Sequence, residues 1–223
     1  MKVLLIKMIL LTWSITSYAQ YYHNLGPWFD GIIYLNENKQ ISGNIYVNLD
    51  QNVLIHRDLE GKLKAFSAFK VQNFIIYDNR TKEERFFQSC NFTDPNQSSG
   101  NFFMELITTG EIQLLRKEKK TFIPFGDNPY LFTSNLEYLS NHNCFNYFAW
   151  KDNRLIKIKN FRKQIKKLTA DKWGEVEQFI KKRNLNLFHL RDQVKIIAYY
   201  NSLKNKNQVA DDMNFFSDNQ VIN

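Results

Sequence analysis

Apolar and polar side chains alternate along residues 41–49. Ile41, Gly43, Ile45, Val47 and Leu49 fall on one side, and Ser42, Asn44, Tyr46 and Asn48 on the other. A period of two is the mark of a half-buried antiparallel strand. The same reasoning predicts a strand over 31–35, with Asn36-Glu37-Asn38-Lys39 as the turn that follows it. Segments 53–57 and 63–66 flank Glu60-Gly61, where the glycine supplies a positive φ. Further strands are expected at 71–77 and 85–92, joined by Asp78-Asn79-Arg80-Thr81, and at 102–108 and 111–117, joined by Thr109-Gly110. A last pair, 147–151 and 154–159, closes through Asp152-Asn153, a favoured two-residue hairpin loop.

The period changes after Asn160, a residue suited to cap a helix. Phe161, Ile165 and Leu168 share one helical face. A second helix is expected over 171–183, burying Trp173, Val176, Phe179 and Ile180, and a third over 190–203, burying Leu190, Val194, Ile197, Tyr200 and Leu203. The reading is an α+β chain dominated by β structure: an antiparallel sandwich or partly open barrel followed by about three C-terminal helices. Four segments are expected: a signal peptide at 1–19, an antiparallel β domain at 20–159, a helical segment at 160–204 and a disordered tail at 205–223. Two loops interrupt the meander, one at 94–100 and a longer one within 124–145.

The leader has its own logic. Lys2 and Lys7 precede an apolar run from Met8 to Ile15, and small residues Ser17 and Ala19 stand where a signal peptidase reads them. The run is shorter than the roughly 20 residues that span a bilayer, so cleavage near Gln20 is expected rather than anchoring. No cysteine sits at that junction, and no later stretch is long and apolar enough to span. The expected destination is the periplasm, the outer-membrane surface or the extracellular space.

Charge is concentrated. The 223-residue chain carries a formal +8, yet residues 151–183 hold twelve Lys or Arg against four Asp or Glu, whereas residues 20–150 hold twelve against fourteen. Lys157, Lys159, Arg162, Lys163, Lys166 and Lys167 are the candidate contacts for an anionic partner. Export removes the chain from nucleic acid, leaving an envelope protein or anionic polymer as the expected partner. A solvated helix face is the plain alternative.

Catalytic signatures are missing. The sequence has no G-x-S-x-G, H-E-x-x-H, P-loop or G-x-G-x-x-G pattern. Its four histidines, His23, His56, His142 and His189, have no second ligand at metal spacing. No cofactor, metal or catalytic residue is therefore assigned. Cys90 and Cys144 are the candidate disulfide pair that an oxidising compartment permits, with two buried thiols as the alternative. His142 lies two residues before Cys144 without a third group to orient it. Glu105 shares a strand face with Phe103 and Ile107, an apolar neighbourhood that would push its carboxyl up; the plain alternative is that it faces water or pairs with a Lys or Arg.

Several segments occur in a suggestive order: Trp28-Phe29-Asp30-Gly31-Ile32-Ile33-Tyr34-Leu35, Ile41-Ser42-Gly43-Asn44-Ile45-Tyr46, and Phe66-Ser67-Ala68-Phe69-Lys70-Val71-Gln72-Asn73-Phe74. Phe102-Phe103-Met104-Glu105-Leu106 follows, ahead of Gly110 and Leu114-Leu115, and Tyr199-Tyr200-Asn201 comes last. This order resembles a group of uncharacterised exported proteins of Bacteroidetes with a β-rich body and a helical C-terminus. The resemblance implies a bacterial envelope setting and carries no activity or site residue. The expected function is a non-catalytic envelope protein that binds a macromolecular partner or supports a surface assembly. A hydrolase of envelope polysaccharide or peptide is one alternative, and peripheral binding to an anionic membrane through a basic amphipathic helix is another.

Overall fold

Among the described residues ten strands form between Trp28 and Ile158, close to where the alternation places them: β1 (Trp28–Leu35), β2 (Gln40–Asn48), β3 (Val53–Arg57), β4 (Leu63–Ser67), β5 (Val71–Asp78), β6 (Glu83–Phe92), β7 (Gly100–Thr108), β8 (Gln113–Glu118), β9 (Phe145–Lys151) and β10 (Arg154–Ile158). The computed structural model describes residues 27–79, 81–93, 99–119 and 145–205. The leader, most of the 94–100 loop, the 124–145 loop except Phe145, with His142 and Cys144, and the tail from 206 lie outside the described residues.

All ten strands belong to one antiparallel sheet in the order β10-β9-β8-β7-β6-β5-β1-β2-β3-β4. Its curvature follows from one short connection. β4 is an edge strand and β5 lies four strand positions away, which in a flat sheet is about 19 Å. Only Ala68, Phe69 and Lys70 join them, a link that reaches at most about 15 Å. The sheet must therefore roll until β4 approaches β5. Side chains record that roll: Ser89 of β6 donates to the Ala68 carbonyl, and Asn52, in the β2–β3 turn, accepts from the Phe103 amide of β7 at 3.1 Å. The sheet curls without closing into a barrel.

The roll encloses one core. Phe29, Ile33, Ile45, Val47, Leu54, Val71, Phe74, Ile76, Phe87 and Phe103 are buried together. Phe74 stacks on Phe87 at 4.6 Å and meets Phe103 edge-on at 5.1 Å, geometries that aromatic quadrupoles favour. Ile45 and Val47 are buried as their alternation requires.

Among the described residues three helices follow the sheet: α1 (Phe161–Leu168), α2 (Trp173–Lys182) and α3 (Leu190–Lys204). The expected helix at 171–183 begins as a separate 3₁₀ turn, Ala170–Lys172, before α2. The helices cover the β8–β9 end of the sheet. Phe161, Ile165, Val176, Val194, Ile196, Ile197 and Tyr200 bury themselves against Ile112, Leu114 and Ala149. Register carries one sheet face from the rolled core to the helices: Phe87 is opposite Glu105, Glu105 opposite Arg116, and Arg116 opposite Tyr147.

Two consecutive residues of α3 fix the helices to the sheet. Asn201 accepts from the Ile112 amide at 2.8 Å and donates to the carbonyls of Thr109 and Ile112 at 2.7 and 2.9 Å. It thereby fills the β7–β8 turn in place of backbone partners. Gly110 has φ +115° there, and a Cβ on it would stand 2.5 Å from Asn201 Nδ2. Tyr200 accepts from Lys151 Nζ at 2.8 Å and donates to Asp171 at 3.0 Å.

Candidate functional site

The β9–β10 hairpin turns through Asp152 and Asn153, both at positive φ (51° and 57°), the backbone that a two-residue hairpin needs. β10 is a sheet edge and leads directly into α1. Asn160 caps α1 by accepting from the Lys163 amide at 3.0 Å. Gln164 ties strand to helix: its Oε1 accepts from the amides of Lys159 and Asn160, both at 2.8 Å, and its Nε2 donates to the Lys157 carbonyl at 2.7 Å. Phe161 and Ile165 anchor the other side of α1 in the core. The orientation of α1 is thus set by hydrogen bonds at one end and by burial along one face.

That orientation turns Arg162, Lys163, Lys166 and Lys167 to solvent, and all four are exposed. At about 100° per residue they cover roughly 140° of the helix circumference. Among the described residues none of the four has an ion pair. In the following helices, by contrast, Lys172 of the 3₁₀ turn meets Glu175 of α2 at 2.9 Å, Lys181 of α2 meets Glu177 at 3.6 Å and Lys195 of α3 meets Asp192 at 3.4 Å. Lys166 lies 5.7 Å above the Trp173 ring.

Local electrostatics do not account for this arrangement. The first turn of α1 contains no acidic residue, and cations there oppose the helix dipole by about 0.3–1 kcal/mol each. The i,i+4 pairs Arg162–Lys166 and Lys163–Lys167 repel by a further 0.2–0.5 kcal/mol, roughly, per pair. Lys166 and Lys167, in the last turn, are favourably placed for the dipole.

The six expected contacts do not form one surface. Lys157 stands opposite Phe148 and so faces away from the helices, half-buried on the edge strand. Its charge guards against strand addition the edge that β10 forms among the described residues. Lys159 is exposed at the strand–helix junction. The compact patch is Lys159 with the four α1 residues.

Cys90 is buried with Met104, Leu115 and Phe148. Burial pushes its thiol up from the ordinary value, against a hydrogen bond from Gln88. Its expected partner, Cys144, lies outside the described residues.

Glu105 pairs with arginine, as one reading of the sequence expects, within a larger buried charge network. Glu105 accepts from Arg85 Nε and Nη2, each at 2.9 Å, and from Arg116 Nε at 2.7 Å. Asp78 is 3.6 Å from Arg85. Burial alone would raise the Glu105 carboxyl. Attraction from Arg116 and Arg85, with hydrogen bonds from both, overcomes burial and holds it well below the usual carboxylate range. Glu105 is therefore a fixed anion, unsuited to donate a proton as a general acid. Cross-strand register places Glu105 and Arg116 opposite one another, but a single sequence does not reveal which strands pair.

Among the described residues no group of three or more His, Cys, Asp or Glu is placed to hold a metal ion. Among them, too, no helix is long and apolar enough to cross a membrane. Comparison with protein-family models, with curated proteins and with solved structures finds no match to this chain.

Proposed function

We propose that the chain is a non-catalytic, exported envelope protein that binds an anionic polymer through the α1 face. One observation carries the proposal. Four exposed cations share a short helix without acidic partners among the described residues, two of them, Arg162 and Lys163, in its first turn against the helix dipole. A polyanion supplies the missing counter-charge and is attracted over a Debye length of about 8–10 Å. The resemblance to exported Bacteroidetes proteins and the signal-like leader support an envelope setting.

The membrane alternative takes a narrower form. Phe161 and Ile165 are buried against the sheet, so α1 has no apolar face to insert among acyl chains. Only headgroup attraction remains for it. For polysaccharide, the hydrolase alternative calls for two carboxyl groups about 5–9.5 Å apart in one cleft, the geometry of glycoside hydrolysis. Asp78 and Glu105 share Arg85 but are both buried, and nothing in their surroundings favours that reading.

The test is affinity chromatography of residues 20–223 on immobilised dextran sulfate. The expected result is retention that salt reverses and that Arg162→Glu/Lys163→Glu/Lys166→Glu/Lys167→Glu abolishes. Equal retention of that variant would overturn the assignment of the face.

A further inference from the structure

The rolled half of the sheet has an open mouth at the β1–β2 turn, and a cavity of about 220 Å³ lies there. Its floor is apolar. Leu35 ends β1, Ile41 is the second residue of β2, and Phe66 reaches in from β4. Leu35 and Phe66 also touch the enclosed core, so the floor belongs to a packed surface. The mouths of curled sheets are common small-molecule sites because inward side chains there lose their neighbours on one side.

The rim is cationic. Lys39, Lys64 and Lys70 line the cavity, with Glu37 the only carboxylate among the lining residues. Among the described residues none of the three lysines has an ion pair. Hydrogen bonds hold the rim in place. The Asn36 amide donates to the Lys70 carbonyl at 3.1 Å, and Asn36 Nδ2 donates to the Phe69 carbonyl at 2.7 Å. The β1–β2 turn is thus latched to the β4–β5 connection. Phe69, next to Lys70, is 75% exposed.

We infer that this mouth binds a small amphipathic carboxylate, its apolar chain on Leu35, Ile41 and Phe66 and its charge among Lys39, Lys64 and Lys70. Size limits the ligand. At about 220 Å³ the cavity is smaller than the roughly 300–1,000 Å³ of drug-sized sites, so it suits a short chain. An open site of that size, ringed by hydrated lysines, fits an affinity of about 1 mM. The site lies on β1, β2 and β4, away from α1, and does not depend on the polymer-binding reading.

The experiment is a ¹H–¹⁵N NMR titration of residues 20–223 with hexanoate, hexan-1-ol and hexylammonium. Saturable shifts with hexanoate are expected at Lys39, Ile41, Lys64, Phe66 and Lys70. Hexan-1-ol should bind at least about fivefold more weakly, and hexylammonium should give no saturable shift. Lys39→Gln/Lys64→Gln/Lys70→Gln alters exposed side chains only and should weaken hexanoate at least about fivefold, while the quadruple α1 variant should leave it unchanged. The inference is overturned by absence of saturation up to 20 mM, by equal binding of the alcohol, or by shifts confined to α1.

Discussion

At Glu105 burial and charge pull the carboxyl in opposite directions, and the two arginines prevail. Removing one member of such a network leaves the others buried and uncompensated, which costs about 3–5 kcal/mol. Glu105→Gln keeps the shape but not the charge, and is expected to lose that amount in urea unfolding. The pH dependence has a definite sign. A carboxyl held below its unfolded value of about 4.3 contributes stability that is present above that value and lost as pH falls toward the folded one. Wild-type stability should decline below about pH 5, and Glu105→Gln should show a shallower decline. Identical slopes would mean that Glu105 does not carry the effect. Asn201 makes the second argument at this scale. Its side chain satisfies one amide and two carbonyls of the β7–β8 turn, so Asn201→Ala should cost about 2–4 kcal/mol by leaving buried backbone groups unpaired. The leucine variant Asn201→Leu should not recover that loss, because shape without hydrogen bonds leaves the same groups unpaired.

Between elements, the three-residue β4–β5 connection forces the roll. Inserting four Gly/Ser residues between Phe69 and Lys70 is expected to cost about 2 kcal/mol. Lengthening a loop costs little by itself, about 0.6 kcal/mol per doubling, so most of the loss reports the two latch hydrogen bonds of Asn36. A loss below about 0.5 kcal/mol would show that the latch contributes nothing. Strands and turns were legible because each is a local signal: alternation at Ile41–Val47, a positive-φ glycine at Gly61 and Gly110, the Asp152-Asn153 loop, the Asn160 cap. The pairing of β1 with β5 was not legible, since nothing local in Ile32 or Ile75 specifies that they lie opposite one another. The network at Glu105 and the lysine-rimmed mouth were hidden for the same reason. Both arise where strands distant in sequence meet.

On the scale of the whole molecule, a charge count located the basic segment but not how it divides. The helical period separated Arg162, Lys163, Lys166 and Lys167 from Phe161 and Ile165, while the sheet register turned Lys157 to the opposite face. That division makes the polymer proposal quantitative. Each cation that neutralises a charge on a linear polyanion releases a condensed counterion, so log K falls linearly with log salt, by about 0.7 per contact on a flexible strand. Four α1 contacts predict a slope of about −3 for binding to dextran sulfate, read by fluorescence anisotropy of a labelled chain. Arg162→Gln/Lys163→Gln should lower the magnitude to about 1.5, and Lys157→Gln should leave it unchanged. A slope that drops equally for Lys157→Gln would mean that the polymer wraps the sheet edge instead of lying along α1. A slope near zero in the wild type would leave the polymer reading without its driving force, because α1 has no exposed apolar face to provide another.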